Sequence, residues 1–183
     1  DFESYKTKKK EPVSTTYLNH KIYSASNPLG GTLMLQGLKV DEATGDATTP
    51  ENRTDYISGI LKSRALMYRN RDIVNGQDQD YDEYLSQDYL LGKLNELNMN
   101  TSMGSDFNTN NIDNTSTTHF VVVDKEGKMT STTNTLSSFF GSGKYMKQGF
   151  YMNNSLSNFT NNPNSPNFHG KHKIPRSYTA PSI

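Results

Sequence analysis

Thr117 and Thr135 are the residues whose type and spacing could do chemistry, and that chemistry would be nucleophilic. A threonine hydroxyl is a poor nucleophile until a base takes its proton, and one available base is the residue's own α-amino group, exposed when the preceding peptide bond is cut. The chain before Thr117 suits a cut. Met99 to Ser116 is dominated by Asn, Ser, Thr, Gly and Asp, too polar to bury itself, and is expected to be mobile. The chain after it suits a hairpin, because β-branched runs from Thr117 to Val123 and from Met129 to Leu136 flank the tight-turn sequence Asp124-Lys125-Glu126-Gly127. With the turn at 124–127, antiparallel pairing returns residues 134 and 135 to the side of Thr117, give or take one residue for a bulge at Gly127. The two threonine hydroxyls can then meet. Hydroxyls line the second strand where a core strand would carry Val or Ile. This fits a reactive site, and equally a threonine-rich edge hairpin that simply favours β structure; spacing alone leaves both readings open.

Other constellations match their templates less well. Gly141-Ser142-Gly143-Lys144 misplaces the first glycine of a phosphate loop and puts Tyr145 where a magnesium-binding hydroxyl belongs, so a turn is expected. His169 and His172 are spaced to share a metal, but no third ligand has useful spacing and the segment reads as a loop, so no metal is expected. Asp78, Asp80 and Asp82 open like a calcium loop that fails at Glu83, where glycine is needed, and at Tyr89, where a bidentate glutamate is needed. An acidic helix start is the better reading. Asn52-Arg53-Thr54, Asn100-Thr101-Ser102 and Asn114-Thr115-Ser116 match the glycosylation pattern, as an asparagine-rich chain will by chance.

Stepping outward from the threonines, Val13 to Ser26 reads as a hairpin broken at Asn19-His20, with Lys21-Ile22-Tyr23-Ser24 as its second strand. Asn27-Pro28-Leu29-Gly30-Gly31 is a sharp loop into a short buried helix at 32–40. Thr49-Pro50-Glu51 combines an N-cap, a first-turn proline and a carboxylate at the positive dipole end. Tyr56, Ile57, Ile60, Leu61, Arg64, Met67 and Tyr68 continue at helical spacing, so a helix is expected from about 50 to 71. A second, from about 80 to 97, is marked by Tyr81, Tyr84, Leu85, Leu91, Leu94 and Leu97. Beyond the threonine hairpin come a glycine-bounded loop at 137–143, a strand at 149–154, a polar loop at 158–172, and a final stretch from Ile174 with no terminating element.

A chain of 183 residues is enough for one domain. Its 32% hydrophobic content and mean hydropathy of -0.81 are low for that length, so either long solvated loops dilute the core or part of the core belongs to another chain. The 19 basic and 19 acidic residues cancel, which removes the electrostatic footprint of a nucleic-acid-binding protein; Lys6, Lys8, Lys9 and Lys10 read as a solvated arm. The absence of cysteine excludes disulfides, thiolate ligands and cysteine nucleophiles. No apolar run approaches the roughly 20 residues that span a bilayer. Asp1 begins neither a signal peptide nor a native start, so a processed product or fragment is expected.

Thr117-Thr118-His119-Phe120, Val122-Val123-Asp124-Lys125, Thr135-Leu136, Phe140-Gly141-Ser142-Gly143, Asn153-Asn154 and Pro175-Arg176-Ser177 together resemble the γ-glutamyltransferase family. These are N-terminal nucleophile hydrolases that cleave themselves before a threonine. Pro12-Val13-Ser14-Thr15-Thr16-Tyr17 and the Gly30-Gly31 loop resemble the late part of the family's large subunit, so the resemblance runs in order through nearly the whole chain. It implies an α+β fold, a fragment of an αββα sandwich. Residues 1–116 would be the C-terminal part of the large subunit and 117–183 the start of the small one. Cleavage would fall between Ser116 and Thr117, with Thr117 the nucleophile and Thr135 the hydroxyl that orients it. Thr118, Ser137, Asn153, Asn154, Ser155, Asn158, Arg176 and Ser177 would surround the substrate, with no cofactor. A γ-glutamyl ester on Thr117 would pass to water or an amine.

Two positions depart from the glutathione-cleaving members. Asn158 stands where they carry an aspartate that grips the substrate's α-amino group, and Arg176 precedes Ser177-Tyr178 where they carry paired serines. Losing an acid and gaining a guanidinium fork suits a substrate with a blocked amine and an extra carboxylate, such as an internal residue of poly-γ-glutamate. That pattern resembles the capsule depolymerase branch. A glutathione-degrading member and a non-catalytic Thr- and Asn-rich surface binding module are the alternatives. The resemblance further implies a bacterial secreted or cell-surface protein whose partners are the remainder of the two subunits, and no nucleic acid. The family's oxyanion-hole glycines lie past Ile183, so these 183 residues alone are expected to be inactive and uncut, with exposed strand edges open to self-association.

Overall fold

The N-terminal half gathers around one helix, α1 (Gly31–Thr44), whose Leu33, Leu35, Gln36, Val40 and Asp41 are all buried. A helix apolar on most of its circumference must be covered on most of its circumference. The computed structural model describes residues 2–45, 51–74, 81–99 and 115–183. Helix α1 runs past the predicted 32–40 until Gly45, whose left-handed φ of 69° lets its N–H reach the Asp41 carbonyl at 2.8 Å. Strands β1 (Val13–Tyr17) and β2 (His20–Ser24) form the first hairpin, turning through Leu18 and Asn19 at φ 46° and 64°, the geometry that matches strand twist. Its tip is fastened to α1. The Tyr17 hydroxyl donates to Asp41 Oδ2 at 2.6 Å and the Leu18 N–H to Glu42 Oε1 at 2.9 Å. The bond to Asp41 pushes the Tyr17 pKa up to about 12, while Lys39, ahead of the Leu18 amide, holds the Glu42 carboxyl below its ordinary value.

Helix α2 (Arg53–Val74) crosses α1 where Gly37 leaves room, since a Cβ there would stand 2.7 Å from Met67 Sδ. It begins at Arg53 rather than near 50, because Asn52 Oδ1 accepts the N–H groups of Thr54 and Asp55 at 2.9 and 3.1 Å. The asparagine of the first sequon is therefore a helix cap; Thr49 and Pro50 lie outside the described residues, as do Asp78, Asp80 and residues 100–114. The single helix expected at 80–97 is two, α3 (Tyr81–Leu85) and α4 (Gln87–Met99). Ser86 divides them: its N–H donates to the Glu83 carbonyl at 3.1 Å, and its Oγ accepts the Tyr89 N–H at 3.3 Å, so it closes one helix and caps the next. Two apolar clusters fill the space between these elements, Val40, Leu66, Leu90 and Leu94 in one and Val13, Leu35 and Leu85 in the other.

The second half is a long hairpin, β3 (Thr115–Val123) and β4 (Met129–Ser138), and a short one, β5 (Tyr145–Met146) and β6 (Phe150–Tyr151). Thr115 and Ser116, placed by sequence in the mobile segment, already belong to β3. The strand expected at 149–154 shrinks to Phe150–Tyr151 because Asn153 Oδ1 accepts the Ser155 N–H at 2.9 Å and bends the chain into a 3-10 turn, Ser155–Asn158. Gly141-Ser142-Gly143 is a turn, as expected, with both glycines at positive φ. The final stretch, given no element by sequence, ties the two halves together. Ser177 N–H donates to Pro28, Gly30 N–H to Thr179, and Tyr23 and Ile183 exchange both backbone bonds at 2.8 and 2.9 Å. Ser182 N–H reaches Ser131 Oγ on β4 at 3.1 Å. No helix among the described residues is long and apolar enough to cross a membrane.

Candidate functional site

The register of the long hairpin is set at its turn. Gly127 N–H donates to the Asp124 carbonyl at 3.0 Å, Gly127 itself takes φ 81°, and Asp124 Oδ1 accepts the N–H groups of Glu126 and Lys128 at 2.9 and 2.8 Å. This is a three-residue hairpin loop that needs glycine at its left-handed position. Pairing then runs unbroken from Val123↔Met129 to Thr117↔Thr135.

Beyond that pair the register shifts, since Thr115 pairs with Ser138. The extra residue sits on β4, where Leu136 and Ser137 oppose Ser116, and Ser137 adopts φ 71°. The extra residue expected at Gly127 is present in the loop and puts Thr135, not Asn134, opposite Thr117; the irregularity at Ser137 is a second one. Its consequence is local and chemical. Ser137 N–H donates to Thr135 Oγ1 at 2.9 Å, fixing that oxygen, and Thr117 Oγ1 donates to the same oxygen at 3.1 Å. Thr117 is exposed while Thr135 is half-buried, so the pair is open to solvent on one side only. One step along the same face, His119 Nδ1 lies 2.8 Å from Thr133 Oγ1. Thr118 pairs with Asn134 on the opposite face, away from the two hydroxyls.

Three of the remaining residues singled out by sequence, Ser137, Asn154 and Asn158, join this pair's strand through a string of contacts. Ser137 Oγ donates to Asn158 Oδ1 at 3.2 Å, Asn154 N–H to the Leu136 carbonyl at 2.9 Å, and Asn154 Nδ2 to Ser138 Oγ at 3.1 Å. Asn153 and Ser155 are spent on their own turn and reside outside any strand. Ser177 faces Thr179 Oγ1 at 3.1 Å, and both Arg176 and Ser177 are half-buried.

The residue that sequence reasoning missed is Asn167. It is 7% exposed, its Nδ2 donates to the Asn158 carbonyl at 2.7 Å, and its Oδ1 accepts the Arg176 N–H at 3.0 Å. One buried amide thus sets the spacing between segments nine residues to either side of it. Nothing in an Asn-, Ser- and Pro-rich loop marks it out. Among the described residues, no three His, Asp or Glu side chains converge as metal ligands would.

A family model described as gamma-glutamyltranspeptidase matches residues 1–183. The chain is 31% identical over 187 residues to the capsule biosynthesis protein CapD proenzyme of Bacillus anthracis, a match covering 100% of this chain and 33% of that protein. It is 25% identical over 181 residues to the glutathione hydrolase proenzyme of Escherichia coli K12, covering 93% and 31%. Among solved structures, the cephalosporin acylase of Bacillus halodurans superposes with a TM-score of 0.73 at 17% identity, over 94% of this chain and 31% of that one. The likeness is one of fold, an α+β arrangement of helices and hairpins. The chain spans about a third of the length of the curated relatives it matches.

Proposed function

Because the chain belongs to the gamma-glutamyltranspeptidase family, we propose that the protein carrying it cuts itself between Ser116 and Thr117 and uses the freed threonine to transfer γ-glutamyl groups. In the first reaction Thr117 Oγ1 attacks the Ser116 carbonyl carbon, the peptide nitrogen leaves with a proton as the α-amino group of Thr117, and water hydrolyses the resulting ester. In the second, that amine accepts the Oγ1 proton as the oxygen attacks a γ-glutamyl amide. The amide nitrogen leaves protonated, and the γ-glutamyl ester on Thr117 passes to water or an amine. The observation that carries this reading is the 3.1 Å bond from Thr117 to a Thr135 oxygen already fixed by the Ser137 amide.

Residues 1–116 then end a large subunit and 117–183 begin a small one. Ser137, Asn153, Asn154, Ser155, Asn158, Arg176 and Ser177 border the γ-glutamyl group, with Asn167 holding the Asn158 and Arg176 segments in register. Asn158 supplies no negative charge for a free amine, and the Arg176 guanidinium suits a second carboxylate. Together with the likeness to the CapD proenzyme, this favours poly-γ-glutamate over glutathione as substrate, and a bacterial secreted or cell-surface setting. The hairpin bearing Thr117 leaves Phe120, Val121, Val122 and Val123 exposed on both of its faces, so the 183 residues taken alone are inactive until the rest of both subunits covers it.

Replacing Thr117 tests the reading. In the full-length protein, Thr117→Ala is expected to leave one uncut chain by mass spectrometry and to lower γ-glutamyl hydrolysis by at least about 10⁴-fold. Retained cleavage and activity would reject the threonine mechanism, and a preference for glutathione over poly-γ-glutamate would reject the substrate assignment.

A further inference from the structure

The balanced net charge of this chain conceals a lopsided distribution. None of its 19 acidic residues lies beyond Glu126, whereas six of its 19 basic residues do: Lys128, Lys144, Lys147, Lys171, Lys173 and Arg176. Two of these, Lys171 and Lys173, line an open cleft of about 660 Å³ together with His169, Ser157, Asn161 and Phe159. The Lys173 ammonium is held in place, donating to the carbonyls of Pro166 and Phe168 at 3.1 and 3.0 Å. Among the described residues no carboxylate pairs with either lysine. A string of hydrogen bonds links the cleft's turn to the hydroxyl pair: Ser157 belongs to the 3-10 turn whose Asn158 accepts the Ser137 hydroxyl, and the Ser137 N–H in turn donates to Thr135.

We propose that this cleft is a carboxylate subsite for a γ-linked glutamyl chain, holding the residues that flank the one reacting at Thr117. The inference rests on the proposed function and extends it to a site of its own. A γ-linked glutamyl repeat offers one carboxylate per residue, separated by methylenes and amides. Lys171 and Lys173 meet the carboxylates, Phe159 the methylenes, and Asn161 and Ser157 the amides. With no acid in the chain beyond Glu126, the field around the cleft draws a polyanion toward it and weakens as salt rises.

The test uses the full-length protein and two ligands, a γ-linked glutamyl hexamer and a γ-glutamyl anilide. Lys171→Glu is the decisive variant, because Lys171 is exposed and supports none of the loop's hydrogen bonds. It is expected to raise KM for the hexamer about tenfold and to flatten its salt dependence, with the anilide KM changed less than about twofold. Direct calorimetric binding of the hexamer to Thr117→Ala protein, with and without Lys171→Glu, repeats the measurement without turnover. Hydrolysis of the anilide with hexamer binding indifferent to Lys171→Glu overturns the subsite alone. Hexamer binding that depends on Lys171 in a protein without hydrolytic activity overturns the Thr117 chemistry alone. Polyphosphate of matched charge binding as tightly as the hexamer overturns the carboxylate assignment.

Discussion

The surroundings of α1 and the threonine hairpin are stabilised in opposite ways. Leu35, Leu66 and Leu90 in the helical half are 0, 1 and 1% exposed, and each such side chain contributes roughly 2–3 kcal/mol by leaving water. On the hairpin, Phe120, Val121, Val122 and Val123 are 47, 54, 53 and 59% exposed. Two strands paired only with each other are marginal in water. Thr117 and Thr135 are therefore placed by a turn, a bulge and a few hydrogen bonds worth about 1 kcal/mol each, and not by packing. Stability resides in one half of the molecule and the threonine pair in the other, where little packing holds it.

The largest expected effect falls on the packed side. Leu35→Ala should cost about 2–5 kcal/mol in urea or thermal unfolding; a loss below about 1 kcal/mol would break the contrast. Next comes the hairpin. Thr135→Val keeps the shape and removes the hydroxyl, and in the full-length protein it should lower kcat by on the order of 10²-fold, about 2.7 kcal/mol in the barrier, while moving Tm by less than about 2 °C. A large fall in Tm with unchanged kcat would make Thr135 a packing residue.

The smallest effect concerns the joint between β1 and α1. Tyr17 has a pKa of about 12 in the fold against 10.0 free, so the folded state holds the phenolic proton more tightly. The stabilisation is complete below pH 10 and is lost as pH rises through 12. Solvent screening at this half-exposed hydroxyl keeps the loss below about 1 kcal/mol. Unfolding curves across that range should lose this slope in Tyr17→Phe, and an unchanged slope would assign it to other groups.

Much of this contrast is written locally in the chain. The Asp-Lys-Glu-Gly turn and the β-branched runs on either side determine which residues face each other, because a hairpin's register follows from its loop and the strand period is two. Helices α2 and α4 follow from helical periodicity as elements, but their buried faces do not: Tyr56, Ile57, Ile60, Leu61, Tyr68 and Leu91 are exposed, and Leu66 and Leu90 are buried. What sequence could not show depends on single polar side chains competing for backbone groups. Ser86 splits a continuous helical stripe, Asn52 moves a helix start, and Asn153 ends a strand early. Asn167 and the Ser137 bulge are harder still, since each depends on where a loop folds back and leaves no periodic trace. The lopsided charge is plain once the chain is divided at the turn, yet a net charge of zero hides it.

The way residues 177–183 lie against Pro28, Gly30 and Tyr23 has a consequence for a nicked molecule. Breaking the bond before Thr117 would turn one polypeptide into two without producing two bodies, because the downstream piece is already sewn to the upstream one at points well away from the break. Thr117 would gain a free end and stay in place, so that maturation would change the chemistry of one nitrogen while leaving the architecture around it where it was.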